Sequence, residues 1–269
     1  MIDVSTALLL GAGGGLIGFL LSVLGAGGSI LLLPLLVSGA GLATQEAVPL
    51  SLLVVILLAL ANVPPYLQRR QFAPRPAALL GLPALVGSWI GGSWVKAGLI
   101  PEAVQLGVFS AAALVASWLL VRSKVAPREP QRSQSVLLVL QGVLVGLLTG
   151  IAGVGGGFAI VPALVLLAGL PMGLASGTSL LLIAVNGMVA LAALGHWPHQ
   201  SLPLMLPLLI GGGLGAVVGQ RLAPHLADRQ LRRGFAVLLI GSALMSALEA
   251  WKRQPLPPEI SHTPIQRSR

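Results

Sequence analysis

Cysteine is absent from the 269 residues, which excludes disulfides, iron–sulfur clusters and thiolate metal sites. Charge is scarce: Asp, Glu, Lys and Arg together make 9%, where a soluble domain carries roughly a quarter. Such a chain cannot coat itself for water and must be solvated by lipid. The 7 acidic residues are Asp3, Glu46, Glu102, Glu129, Asp228, Glu249 and Glu259, all in loops, tails or helix ends. No carboxylate pair is set at mid-membrane for metal binding, proton relay or acid–base work. An enzyme is therefore not expected, nor is a metal or cofactor. No Gly-x-x-x-x-Gly-Lys-Ser/Thr occurs, so a phosphate-cradling ATP loop is missing too. His196-Trp197-Pro198-His199 could offer a metal pair, but it reads better as a headgroup-level loop.

What remains is apolar. Hydrophobic residues make 55% of the chain and the mean hydropathy is +0.93. Runs such as Leu50–Ala61, Ala103–Val121 and Ser201–Gly219 recur along nearly its whole length. A bilayer core of about 30 Å needs about 20 apolar residues per helix, so the chain holds about eight crossings. The alternation that a transmembrane β-barrel requires is missing from Leu52-Leu53-Val54-Val55-Ile56-Leu57-Leu58. The start, Met1-Ile2-Asp3, carries no basic leader, and the apolar stretch after it is too long for a cleavable signal. The net charge of +9 sits in short clusters between apolar runs, as topogenic charge does; nucleic acid is not an expected partner.

Shifted by 128 residues, from Gly25 to Gly153, the sequence aligns with itself without a gap. Gly25-Ala26-Gly27-Gly28 falls on Gly153-Val154-Gly155-Gly156, Pro34 on Pro162, Ser51-Leu52-Leu53 on Ser179-Leu180-Leu181, and Gly87/Gly91 on Gly215/Gly219. The expected organisation is a first repeat over 1–121, a polar linker over 122–135, a second repeat over 136–251 and a flexible tail over 252–269. The expected fold is an all-α polytopic bundle of about eight spans in two tandem four-helix repeats. Spans are placed at 7–38, 47–66, 76–97 and 103–121, then at 137–168, 174–196, 201–222 and 231–250. The first of each four is glycine-broken. With an even number per half the repeats run parallel; if the break separates two full crossings, they invert. Counted on eight spans, Lys and Arg favour the side of both termini by 11 to five, which places the termini in the cytoplasm.

The breaks carry the functional expectation. Glycine costs roughly 1 kcal/mol relative to alanine inside a helix and proline about 3, so matching Gly-x-Gly-Gly motifs followed by proline need a reason. Backbone groups freed there are tolerated only against protein or a polar cavity, and a helix starting beyond them aims N–H groups at that cavity. That suits an anion. Gly25, Gly27, Gly28 and Ser29, with Gly153, Gly155, Gly156 and Gly157, are the expected substrate-binding backbone; Ser51, Thr178, Ser179 and Asn186 are the expected side chains. Plain Gly-x-x-x-Gly spacings such as Gly14/Gly18 and Gly211/Gly215/Gly219 are read as helix packing.

The duplicated glycine–proline element, Leu24–Pro34 and Ala152–Pro162, followed by Ala-(x)3-Ser-Leu in the next helix, resembles the TauE/SafE sulfite exporter family over about residues 8–250. Leu226 to Phe235, with its paired arginines, fits as well. The resemblance implies an eight-span permease for sulfite, sulfonates or related organosulfur anions in the cell inner membrane. Two departures stand out: Ser29 replaces the glycine kept at 157, and the first half retains Ser51 alone of the polar stretch around Ser176–Ser179. The expected partners are a small anionic solute and the lipid bilayer, and a homo-oligomer is left open. The rival reading is a non-transporting membrane scaffold or assembly subunit.

Overall fold

The structure, a computed structural model, describes residues 4–122, 132–152, 157–199 and 201–252. These residues form helices and connecting turns. Along the chain run α1 (Val4–Leu24), α2 (Gly27–Pro34), α3 (Thr44–Gln68), α4 (Pro74–Lys96), α5 (Glu102–Arg122), α6 (Arg132–Ala152), α7 (Gly157–Leu166), α8 (Met172–Leu194), α9 (Leu202–Leu222) and α10 (Asp228–Lys252). Five of them, α1, α3, α4, α8 and α9, are long and apolar enough to cross a bilayer, and α5 and α6 carry shorter apolar stretches. The protein is a multi-pass helical membrane protein. Leu8, Leu82, Val86, Leu214 and Val237 are exposed on its flanks, as lipid-facing side chains must be. Trp89, Trp94, Trp118 and Trp197 are also largely exposed.

Helix starts repeat at the spacing read from the sequence: Val4 and Arg132, Thr44 and Met172, Pro74 and Leu202. Packing repeats too, but crosswise. α1 lies on α9 and α6 lies on α4, while α3 packs on α8 and α5 on α10. Glycines set the first two contacts. A methyl at Gly18 would sit 1.9 Å from the Gly212 carbonyl oxygen, and one at Gly146 would sit 1.9 Å from that of Ala84. Bare backbones there touch, as small-residue stripes allow in a medium without a hydrophobic drive between helices.

The same contacts fix chain direction. Gly14 meets Leu208 and Gly18 meets Gly212, so α1 and α9 are parallel; Gly142 with Leu80 and Gly146 with Ala84 make α6 and α4 parallel. Gly187 meets Ile56 whereas Gly177 meets Tyr66, so α3 and α8 are antiparallel. Equivalent helices of parallel halves would run the same way. The parallel arrangement of two four-span repeats is therefore not the one found.

The reason lies in the first break. α2 turns back along α1: Gly28 lies against Ile17 and Leu21, Leu35 against Gly13, and Gly39 near Leu9. Beyond Pro34 the segment widens to a π turn at Leu35–Gly39, with Ala40 N donating to Leu35 O at 3.1 Å. The expected single element over 7–38 is thus a hairpin of two segments. On the other side, α6 and α8 share one direction, so α7 returns the chain between them. Each half has five segments, and the halves are inverted.

This reversal regroups the charges. The ends of α3, α5 and α9 and the starts of α4, α6 and α10 share one face, carrying Arg69, Arg70, Arg75, Arg122, Arg132, Arg221, Arg229, Arg232 and Arg233. On the face holding the start of α1 and the end of α10, the described residues include only Lys96 and Lys252 as basic groups. The count that favoured the terminal side assumed parallel halves, and it is overturned.

Gly146→Val drives a side chain into the Ala84 carbonyl and is expected to abolish recovery of monodisperse protein in detergent. Gly213, with nothing within 4 Å of an added methyl, is the control: Gly213→Ala should leave the melting temperature unchanged or raise it, by up to about 1 kcal/mol of stability. Equal recovery of the two variants would disprove the glycine contact.

Candidate functional site

The turn between α1 and α2 shows how a broken helix is made tolerable in lipid. Gly25 has φ +77°, left-handed backbone that a Cβ disfavours, and a methyl there would lie 2.4 Å from Cα of Ser176. Its N–H still donates to Leu21 O at 2.9 Å. The freed carbonyls find hydroxyls on α8. Ser176 Oγ donates to Leu24 O at 3.0 Å, and the Ser179 hydroxyl is shared between Gly25 O at 3.1 Å and Ser176 O at 2.8 Å. One turn earlier, Tyr66 Oη donates to Ser22 O, and Ser22 Oγ donates to Ala216 O at 3.0 Å. Ser22, Ser176 and Ser179 are fully buried.

These bonds locate several residues expected from sequence. Gly25 and Ser179 come together directly. Gly28 is buried against Ile17. Thr178 lies beside the break but turns elsewhere: Oγ1 donates to Leu174 O at 2.7 Å and accepts from Ala73 N at 3.0 Å, tying α8 to the α3–α4 turn. Ser51 is buried and donates to Val48 O at 2.8 Å in its own helix. Gly27 and Ser29 fall in the first turn of α2, and Gly157 opens α7 and is buried. Gly153, Gly155 and Gly156 lie outside the described residues, as do most of the 122–135 linker and the 252–269 tail.

Asn186 is the exception to local satisfaction. It is 1% exposed, and both Nδ2 and Oδ1 lack any hydrogen-bond partner. Ser176, Ser179, Ile183 and Asn186 recur at three- and four-residue spacing on α8, so the amide shares a helical face with the serines. Two turns separate it from Ser179. An orphaned buried amide costs about 1–3 kcal/mol. Asn62 makes the contrast: Nδ2 donates to Leu58 O at 2.7 Å and Oδ1 accepts from Gln220 Nε2 at 2.9 Å, while Arg69 Nη2 donates to Gln220 O at 3.1 Å.

Sequence reasoning missed the closure by Tyr66 and Ser22. A lone tyrosine near a helix end gives no signal until the reversal at Gly25 brings Ser22 beside it. It also treated His196 as a bystander. In the fold, His196 Nε2 meets Glu46 Oε1 at 2.9 Å and Ser201 Oγ donates to Glu46 Oε2 at 3.0 Å. No cluster of three or more potential metal ligands forms among the described residues.

A helix break held by main-chain groups and hydroxyls, with one buried amide on the same helix face, inside a glycine-packed bundle with an apolar core, defines the class: a polytopic helical membrane protein. The family model for the Sulfite exporter TauE/SafE family matches residues 10–246, and the chain belongs to that family. Two curated relatives, each called probable membrane transporter protein, come from Xylella fastidiosa strains Temecula1 and 9a5c. Each is 27% identical over 246 residues, covering 88% of this chain and 94% of the relative. No solved structure matches the chain.

Ser179→Ala leaves the Gly25 carbonyl without its hydroxyl donor. A loss of about 1–3 kcal/mol is expected, read as a lowered melting temperature in detergent; Ser93→Ala, which removes an exposed bond to Trp89 O, should change it far less. Equal shifts would show that the α8 hydroxyl does not hold the break.

Proposed function

We propose that the chain is a secondary permease that moves a small anion, sulfite, a sulfonate or a related organosulfur compound, across the membrane. Family membership and the relatives' description as probable membrane transporters support the class. The observation that carries the site is Asn186, a buried amide with no partner on the serine-bearing face of α8. An anion's oxygens would accept from its Nδ2 at one point of the path, and the Ser176 and Ser179 hydroxyls, two turns and more away on the same helix, would turn from the Leu24 and Gly25 carbonyls toward the ligand at another when the break opens. Neutral donors of this kind bind an oxyanion without the cost of a cation in the bilayer centre. Gly27, Gly28 and Ser29 at the start of α2 would add main-chain N–H groups from one side. Gly153, Gly155, Gly156 and Gly157, with Ser51 as the counterpart of Ser179, would do so toward the opposite end of the bundle.

The inverted halves support alternating access. Repeats 1–121 and 136–251 contribute eight long helices as spans plus the two short returning segments, and exchange between halves would open the path to either face. The basic face, with nine arginines among the described residues, belongs in the cytoplasm. Both termini then lie on the outer face, opposite to the placement expected from parallel halves.

In proteoliposomes, sulfite or methanesulfonate flux is expected to fall by about tenfold or more in Asn186→Leu, the equivalent of one lost hydrogen bond to a charged group. Its melting temperature should hold or rise, because the substitution removes an unsatisfied amide. Undiminished flux would take Asn186 out of the path. Separately, a tag after Lys252 should react with an impermeant reagent on intact cells. Protection of that tag until the cells are broken would reverse the proposed orientation.

A further inference from the structure

The last helices of the two halves, α5 and α10, pack on each other. Ser117 Oγ pins them by donating to the Ala236 carbonyl at 3.1 Å. Beside that bond lies a groove of about 870 Å³. Leu114, Val115 and Val121 of α5 and Ile240 of α10 line it, and all four are exposed, so the groove faces lipid. Its cationic end is formed by Trp118 and Arg122, on the face where the arginines gather. There the Arg122 guanidinium lies over the Trp118 ring, 4.6 Å from its centroid, a cation–π contact that holds a long side chain in place.

No carboxylate of these two helices answers that charge. Glu102 lies at the opposite end of α5 and Glu249 near the far end of α10. Asp228 is occupied by Arg232 at 2.8 Å and by Met172 N. Arg122 has no ion pair among the described residues. Leu114 and Arg122 are about 12 Å apart along the helix axis at 1.5 Å per residue, most of the roughly 15 Å that one leaflet contributes to the hydrocarbon core. The basic end belongs to one leaflet only: in the repeat, Trp118, Val121 and Arg122 correspond to Ser246, Glu249 and Ala250, toward the opposite face.

We propose that this groove binds an anionic phospholipid of the arginine-side leaflet, with an acyl chain along Leu114, Val115 and Ile240 and the head-group phosphate on Arg122. A guanidinium presents paired N–H donors that match phosphate oxygens, and the Trp118 ring suits the depth at which head groups begin. Net charge makes the selection: a zwitterionic head group carries its own cation, whereas an anionic one leaves its charge for the arginine. A second copy of the chain seated symmetrically here would set Arg122 against Arg122, a like-charge contact that disfavours it as the occupant. The site is independent of which solute the bundle carries.

The test places the full chain in phosphatidylcholine bilayers with increasing phosphatidylglycerol, one lipid or the other carrying brominated acyl chains. Quenching of Trp118 is read in a background of Trp89→Phe, Trp94→Phe, Trp197→Phe and Trp251→Phe. Native mass spectrometry of the otherwise unaltered chain gives a second reading, as retained lipid adducts. Phosphatidylglycerol should be preferred at Trp118 by about fivefold or more, the effect of one basic residue at an anionic surface, and should dominate the adducts. Arg122→Gln should bring both preferences close to one. Arg75→Gln, on the same arginine face at the start of α4, should leave them unchanged. Equal preference for the two lipids in the wild-type groove overturns the site in favour of unselective solvation. Equal loss in both variants overturns it in favour of diffuse surface charge. A Trp118 that neither lipid quenches, in a chain that runs as a dimer, overturns it in favour of a second copy.

Discussion

Lipid offers no hydrogen bonds, so a helix broken inside it must find partners for every peptide group it frees. At the Gly25 turn those partners are the hydroxyls of Ser176 and Ser179, donated from a helix more than 150 residues further along the chain. The reversal is possible only because glycine accepts the left-handed backbone and leaves room for Ser176 against its Cα. With the chain turned back there, α2 must run antiparallel to α1, and every later helix takes its direction from that turn. Inversion of the halves, the crosswise pairing of α1 with α9 and α6 with α4, and the gathering of arginines on one face all follow from it.

Much of this was legible in the sequence because composition and repeat spacing report it directly. Apolar runs marked the long helices to within a few residues, as 47–66 against Thr44–Gln68 and 201–222 against Leu202–Leu222 show. The glycine–proline motif marked where α1 ends. Its consequence for direction was not legible. A hydrophobic pattern has the same period whether a helix kinks and continues or stops and returns, so 7–38 read equally well as one bent span. The charge count inherited that ambiguity and placed Arg69 and Arg70 on the wrong face relative to the termini.

Site residues divide on the same principle. Ser179 could be picked out because it recurs as Ser51 in register. Tyr66 and Ser22 could not, because neither has a polar counterpart: their equivalents at 194 and 150 are leucine and glycine. Thr178 looked like a ligand group and is used instead to hold the α3–α4 turn through Ala73 N. Asn186 was visible as a costly residue in an apolar run, but only the fold distinguishes it from Asn62, whose amide is satisfied on both sides.

The halves share a backbone plan without sharing its polar content, and that inequality bears on how such a bundle can work. Asn186 corresponds to Leu58 in the repeat, Gln220 to Gly92, and Asp228 to Ile100. One break is closed by hydroxyls from the opposite half, with an amide network beside it; of the equivalent positions, Ser51 keeps the hydroxyl of Ser179, whereas those of Ser176, Asn62 and Gln220 are Val48, Ala190 and Gly92. Two conformations related by exchange of the halves therefore cannot have equal energy, because the hydrogen bonds surrendered at one end are not the ones regained at the other. A ligand that supplies the missing acceptor to Asn186 changes that balance by its differential affinity, which is the only means by which binding can move such an equilibrium. On the anion-permease reading proposed above, an oxyanion would be the ligand that completes the Asn186 donor.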